Sequence, residues 1–204
     1  MAGKCGHDHR HETKPDELGN LYTLFTKIDL ERVQCLNECS EGSGRVVFKP
    51  WDKRLDTTQL VESDCDEELL FNIPFTGSVK LKGIIVVGGE DSYHPSKMRI
   101  FKNRPNMTFD DASGKADQEF DMQPDHKGVL EYIPTIARFA NVEHLSIHFP
   151  TNFGEETSKV YYIGLKGDFM KAHKHGVTIC NYEAKANPAD HKSADYNPAS
   201  HSVN

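Results

Sequence analysis

The sequence predicts an all-β fold, a single antiparallel β-sandwich or jelly roll. Short apolar segments recur roughly every ten to twenty residues, and clusters of Gly, Pro, Asp and Asn separate them. No long helical pattern lies between these segments, so the strand–helix–strand units of a parallel sheet are not expected. Short strands with turn signals at this spacing are typical of sandwiches and jelly rolls.

The strands can be predicted in chain order, with residues 28–36 before them as a candidate helix. Leu30, Val33 and Leu36 recur there every three residues. The Thr76-Gly77 pair is expected to separate two strands. The predicted strands are residues 45–49, 69–75, 79–87, 97–102, 119–122, 128–133, 142–149, 160–165 and 177–182.

The segment 79–87 is the most informative of these strands. Val79 and Leu81 alternate with Lys80 and Lys82, which indicates one buried and one wet face. Residues 84–87 are then continuously apolar, which indicates a half-strand covered on both faces. We therefore expect this strand to lie near the centre of its sheet.

Composition divides the chain of 204 residues into three parts. Residues 1–17 are polar and His-rich, lack a periodic apolar pattern and are predicted to be disordered. Residues 18–184 form the sandwich domain, a length that suits one domain. Residues 185–204 are predicted to be a polar, exposed C-terminal tail.

The charge balance excludes some partners. Lys plus Arg number 24 and Asp plus Glu number 31, so the net charge is −7, which argues against nucleic acid and anionic membrane surfaces. No apolar run approaches the roughly 20 residues that span a bilayer, and the first residues lack a signal-peptide core. We therefore expect a soluble, cytoplasmic protein, with the nucleus as a second location, whose five cysteines are free thiols.

The sequence contains two groups of candidate metal ligands, and neither predicts a metal site. The string from Cys5 to His11 offers imidazole and thiolate, but it lacks a fold to fix four ligands. His144 and His148 resemble a metalloprotease pair, but the catalytic Glu is missing and the alternation of neighbouring residues indicates a strand. In a strand the two imidazoles would be about 13 Å apart, on the outer face of a sheet. No metal and no cofactor are expected.

Signatures of catalysis are also missing from the sequence. Cys35 and Cys39 are separated by three residues, so they do not form the redox Cys-x-x-Cys motif, although a helix would place both on one face. No nucleophile elbow, Walker loop or dinucleotide-binding glycine motif is present. We therefore predict a non-enzymatic binding protein.

Two polar segments are candidate partner-binding regions. The first is an acidic cluster before an apolar strand, which would otherwise be a solvated turn. The second is the C-terminal tail, whose groups can bind a cation or a metal centre on a partner. The candidate residues are Asp64, Asp66, Glu67 and Glu68 in the cluster, and Asp190, His191 and His201 in the tail.

Several ordered segments resemble the PITH (proteasome-interacting thioredoxin) domain family. The resemblance extends over residues 22–191. The matching segments are residues 67–77, 79–85, 94–103, 139–142, 177–184 and 187–191.

The resemblance implies a galactose-binding-like jelly roll and docking onto the 26S proteasome regulatory particle. In the thioredoxin-like member of the family, the domain follows a catalytic thioredoxin domain. This chain has one Trp, Trp51, and no Trp-Cys-x-x-Cys, so reductase activity is not implied. The alternatives are a regulatory adaptor in a signalling or transcription pathway, and a sugar- or small-ligand-binding sandwich in which Trp51 or Tyr93 stacks on the ligand.

Overall fold

The computed structural model describes residues 21–170, which form an antiparallel β structure with little helix. Short 3-10 helices connect the first strands. One α-helix, α1, spans Phe109–Ser113. The strands are β1 Gln34–Leu36, β2 Val61–Glu62, β3 Leu69–Gly88, β4 Lys97–Lys102, β5 Gln118–Asp121, β6 Glu131–Tyr132, β7 Val142–Phe149 and β8 Lys159–Met170.

The long strand β3 organises the whole fold because its two halves have different neighbours. Residues 69–74 lie between β1 and β7, and residues 78–88 pair with β8, with β6 on the other side at Ile84 and Ile85. The strand order is β2-β8-β3-β7-β4-β5, and every pairing is antiparallel. The segment from Val79 is therefore internal to its sheet, as its apolar sequence predicted.

The expected break at Thr76-Gly77 is wrong, because β3 continues through it as a single strand of 20 residues. Only the register with β7 shifts, between Pro74 and Val79. A Cβ at Gly77 would lie 2.8 Å from the ring of Phe169, so glycine here permits the close approach of β8. The turn signal marks a close backbone contact, not a chain reversal.

The main core is one cluster of buried apolar side chains, which come mainly from β3, β4, β7 and β8. Val79 and Leu81 are buried in it while Lys80 and Lys82 are half-buried, as the alternation predicted. A register irregularity between Leu81 and Gly83 then reverses the alternation. Alternate residues beyond this point therefore enter different clusters.

Both outer faces of the β structure carry their own apolar cover. On one side, Ile85 and Val87 pack with Trp51, Tyr22 and Tyr162. On the other side, a second small cluster contains Leu70, Phe101, Met107, Ala112 and Ala116. Residues 84–87 are therefore buried on both faces, as predicted.

Two further sequence predictions need correction. Residues 45–49 are not a strand but follow the 3-10 helix Ser43–Arg45, and Val47 and Phe48 are buried from a turn. The predicted helix at 28–36 is a 3-10 helix, Leu30–Arg32, followed by β1. A three-residue apolar spacing suits both conformations, so tertiary packing decides between them.

Other predicted strands differ only in extent. The strands Lys97–Lys102 and Val142–Phe149 have the predicted bounds, but residues 128–133 contribute only Glu131–Tyr132. The predicted N-terminal segment 1–17, the strand at 177–182 and the tail 185–204 lie outside the described residues. Within residues 21–170, no helix has the length and apolar character needed to cross a bilayer.

Candidate functional site

The predicted acidic cluster forms a turn, residues 64–68, that leads directly into β3. Asn37 holds this turn from the end of β1. Its side-chain amide donates to the Asp66 carboxylate at 2.8 Å and to the Glu68 carbonyl at 2.7 Å, and its oxygen accepts from the Cys65 amide at 3.1 Å. Asn37 has a φ of 66°, a left-handed conformation that Asn tolerates well. The turn is therefore preorganised.

The four carboxylates of this turn have different roles. Asp66 accepts hydrogen bonds from Asn37 and from the Glu68 amide, and Glu68 pairs with a histidine of β7. The Glu67 carboxylate makes no hydrogen bond within residues 21–170, and Asp64 only accepts from the neighbouring Cys65 thiol. Asp64 and Glu67 are thus the two acids that remain available to a partner.

The histidine that pairs with the acidic turn is His148. Its Nε2 atom lies 2.6 Å from the Glu68 carboxylate, and its Nδ1 atom is buried without a hydrogen-bond partner among the described residues. Burial lowers the pKa of His148 below its ordinary value and outweighs Glu68, which acts to raise it. His148 was expected on an outer face, and that face is in fact covered here by Phe109 of α1, at a ring distance of 6.2 Å.

His144 lies four residues before His148 on the same face of β7, but it is half-buried and open to a cleft. The alternation of Leu145 and Ile147 into the core confirms the strand interpretation of this segment. Among residues 21–170, no three side chains of His, Cys, Asp or Glu come together as a metal site.

The cysteines of the described region are Cys35, Cys39 and Cys65, and all three are free thiols. Cys35 lies in β1 and Cys39 in the following turn, so the helical arrangement that would align them is not formed. Burial, followed by the nearby Glu38, raises the pKa of the Cys35 thiol. A thiol that ionises poorly is a weak nucleophile.

The two aromatic residues considered for sugar stacking are both engaged by the protein itself. Trp51 is buried and stacks on Tyr22 with ring centroids 5.1 Å apart, and the Arg54 guanidinium lies 4.2 Å from its ring centroid. The Lys159 ammonium lies over the ring of Tyr93, 4.1 Å from the ring centroid. Trp51 is thus part of the outer apolar cover.

Sequence reasoning missed a polar cleft with a volume of about 410 Å³ at the surface. Arg32, Arg45 and Arg104 line it, together with polar groups of β3 and β7. These arginines come from three separate segments, and Arg104 lies far along the chain from Arg32 and Arg45, so no local charge run indicates the cleft. The tail residues Asp190, His191 and His201 and the string Cys5–His11 lie outside the described residues.

The fold and its surface define a galactose-binding-like β-sandwich without a recognisable catalytic arrangement among residues 21–170. The domains CBM32-1 and CBM32-2 from Clostridium perfringens ZmpB, in complex with GalNAc, superpose with a TM-score of 0.54 at 9% identity. The match covers 76% of this chain and 39% of that chain. A likeness at this level of identity establishes the fold alone.

The chain belongs to the PITH domain family, because the family model described as PITH domain matches residues 14–186. PITH domain-containing protein 1 of Homo sapiens is 55% identical over 202 residues, covering 99% of this chain and 96% of that protein. The Danio rerio protein of the same name is 59% identical over 187 residues, covering 92% of this chain and 89% of that protein. This membership supports a role as a protein-interaction module.

Proposed function

We propose that this chain is a non-enzymatic module that docks onto the 26S proteasome regulatory particle in the cytoplasm, with the nucleus as a second location. The preorganised acidic turn is the observation that carries the proposal, because Asn37 fixes it. Within residues 21–170, the Glu67 carboxylate makes no hydrogen bond and Asp64 accepts only from the neighbouring Cys65 thiol. A rigid acidic projection gains affinity for a basic surface without a large ordering cost. The choice of the proteasome as partner rests on what the resemblance to the PITH domain family implies.

The physical contribution of the turn is electrostatic. Charges at the rim of an interface mainly accelerate encounter and select complementary partners. Because Asp64 and Asp66 are exposed, salt screens them effectively. Docking should therefore weaken as ionic strength rises.

The direct test is capture of purified 26S particle by immobilised full-length chain, quantified by the peptidase activity of the bound particle. The double variant Asp64→Asn, Glu67→Gln should capture less particle than wild type at low salt. A matched variant, Asp52→Asn, Glu143→Gln, removes the same charge from exposed positions elsewhere and should capture as much as wild type. Equal capture by both variants would exclude the acidic turn as the docking surface.

The C-terminal tail is the second proposed docking element, through Asp190, His191 and His201. Its polar composition predicts an exposed segment, and segments that order only on binding can reach recessed sites. Deleting residues 185–204 should leave the melting temperature unchanged and reduce capture. An early melting transition would instead show that the tail is structural, and full capture would place docking on the sandwich.

The structure supports the alternative of sugar binding less well. Its stacking candidate, Trp51, is 9% exposed and covered by Tyr22 and Arg54. The regulatory adaptor alternative shares only the fold with a proteasome-docking module and differs in its partner. Failure to capture the particle from any tested preparation would favour that alternative.

A further inference from the structure

The cleft lies on the outer face of the sheet formed by β1, β3 and β7. Gln34, Asn72 and Pro74 contribute to it from β1 and β3, and His144 and Ser146 contribute from β7. Its volume of about 410 Å³ falls in the range of ligand-binding pockets, roughly 300–1,000 Å³. The cleft is thus large enough to hold several side chains of a partner.

The polar groups at the floor of the cleft already have hydrogen-bond partners within the protein. Asn72 is buried, accepts from the Ser146 hydroxyl at 2.9 Å and from the Met107 amide at 3.2 Å, and donates to the Met107 carbonyl at 2.9 Å. These bonds tie β3 and β7 to the loop that carries Arg104. The floor therefore positions the rim and does not itself require a ligand.

The rim is cationic, in contrast to the net charge of −7 of the whole chain. Arg45 is exposed and donates one bond, from Nε to the Val33 carbonyl at 3.2 Å, and no carboxylate of residues 21–170 lies within ion-pair distance of it. Arg104 lies 3.9 Å from Asp117 and over the Phe101 ring, and it remains exposed. Both guanidinium groups keep donors that no carboxylate of residues 21–170 occupies at hydrogen-bond distance.

Arg32 is the third arginine of the rim, and an ion pair with Asp29 partly neutralises its charge. Its Nε atom bonds to Asp29 at 2.7 Å, and two thirds of its side chain is exposed. Glu31 also lines the cleft and reduces its positive charge. The cleft thus presents a moderate positive charge spread over three arginines, and the exposed Pro105 also lines it.

We propose that this cleft binds an extended peptide segment of a protein partner that carries two or more Asp or Glu side chains. Guanidinium groups bind carboxylates in bidentate geometry, and three separated arginines match carboxylates distributed along a chain. Glu31 and the acidic net charge disfavour a polyphosphate backbone. The exposed ring of Pro105 suits the aliphatic part of a peptide side chain.

This inference is independent of the proteasome proposal, because the cleft and the acidic turn have opposite charge and different residues. Glu68 lies four residues before Asn72, the cleft residue of β3 nearest to it in the chain, about 13 Å for an extended chain. The cleft and the acidic turn are therefore neighbouring but distinct parts of the surface.

The test uses the full chain and a fluorescein-labelled peptide of glutamates flanking one leucine, with binding followed by fluorescence anisotropy at low salt. We expect saturable binding that the Arg45→Gln and Arg104→Gln variants each weaken about tenfold, the loss of one charge-assisted contact. Lys53→Gln is the matched control. It removes the same charge from an exposed residue beside Trp51, in the cluster on the opposite outer face, and should bind like wild type.

Arg104 packs on Phe101, so thermal unfolding of each variant must accompany the binding measurement. Arg45 has no such packing role, and Arg45→Gln alone keeps the test decisive if Arg104→Gln fails to fold. Equal affinity of Arg45→Gln and Lys53→Gln would overturn the proposal, as would equal binding of a glutamine version of the peptide. Binding of a phosphoserine peptide with no binding of the glutamate peptide would also overturn it.

Discussion

The Nε2 atom of His148 and the Oε1 atom of Glu68 are 2.6 Å apart, and this pair joins the acidic turn to the interior of the sheet. His148 is 2% exposed, whereas the Glu68 side chain reaches the surface. The pair therefore connects a buried imidazole to the proposed docking turn. Its breakage should affect both local protonation and stability.

Replacing Glu68 with Gln should lower the pKa of His148 further, because the carboxylate that acts to raise this pKa is removed. The free energy of unfolding should fall by about 1–3 kcal/mol, the cost of losing a charged hydrogen-bond partner. NMR titration of the imidazole and urea unfolding measure the two effects. Glu67→Gln, which removes a charge without an internal hydrogen bond, is the control. An unchanged His148 titration would contradict the pairing.

Stability should decrease as the pH falls below the ordinary histidine value of 6.5. Burial lowers the pKa of His94, and the nearby His126 lowers it further. The hydrogen bond to Pro95 and the charge of Asp125 act in the opposite direction. Burial likewise lowers the pKa of His148. Because the unfolded state then binds more protons in mild acid, unfolding is favoured there, and the full stability is present above the unfolded value.

The measurement for this pH effect is urea unfolding at neutral and mildly acidic pH, followed by the emission of Trp51. His94→Gln and His148→Gln should each reduce the dependence of unfolding free energy on pH, whatever their effect on stability itself. The same slope in wild type and in both variants would show that other groups cause the effect.

Ile85→Ala should cost about 2–5 kcal/mol, because Ile85 is 2% exposed and packs beneath Trp51 and Tyr162. Ile133, which is 62% exposed, provides the comparison, and Ile133→Ala should change stability by less than about 0.5 kcal/mol. Chemical unfolding of the two variants beside wild type tests the assignment. A loss at Ile85 as small as that at Ile133 would mean that the outer cluster is not packed.

The backbone conformation of Asn37 and the hydrogen bonds of its side chain can be tested separately. Asn37→Gly keeps the left-handed conformation but removes the bonds to Cys65, Asp66 and Glu68, whereas Asn37→Ala also introduces strain at a φ of 66°. We expect both variants to be destabilised, and the Ala variant by about 1 kcal/mol more. If the Gly variant is as stable as wild type, the amide does not hold the acidic turn.

The thiols of the described region should show no dithiol chemistry. The pKa of Cys35 is raised by burial, and that of Cys65 is raised by the hydrogen bond with Asp64, so both thiols ionise poorly at neutral pH. Insulin reduction should stay at background, and iodoacetamide should modify Cys35 slowly. Reductase turnover that Cys35→Ser abolishes would refute this prediction.

The sequence by itself determined the strand class and several strand limits. Alternation of apolar and polar residues is a local property, and it predicted Lys97–Lys102, Val142–Phe149 and the inward side chains of Val79 and Leu81. The acidic turn was found for the same reason, since its four carboxylates are neighbours in the chain. The family resemblance likewise rested on contiguous motifs.

The tertiary structure alone decided features that depend on contacts between distant segments. Gly77 suggested a turn, but the approach of β8 makes it part of a continuous strand. The sequence placed His148 on an outer face, but Phe109 of α1 covers that face. Hydrogen bonds from Asn37 to Asp66 and from His148 to Glu68 show which acids of the turn are engaged within the protein. Arg45 and Arg104 meet at one cleft because the sheet brings their segments together, and no local pattern encodes such a meeting.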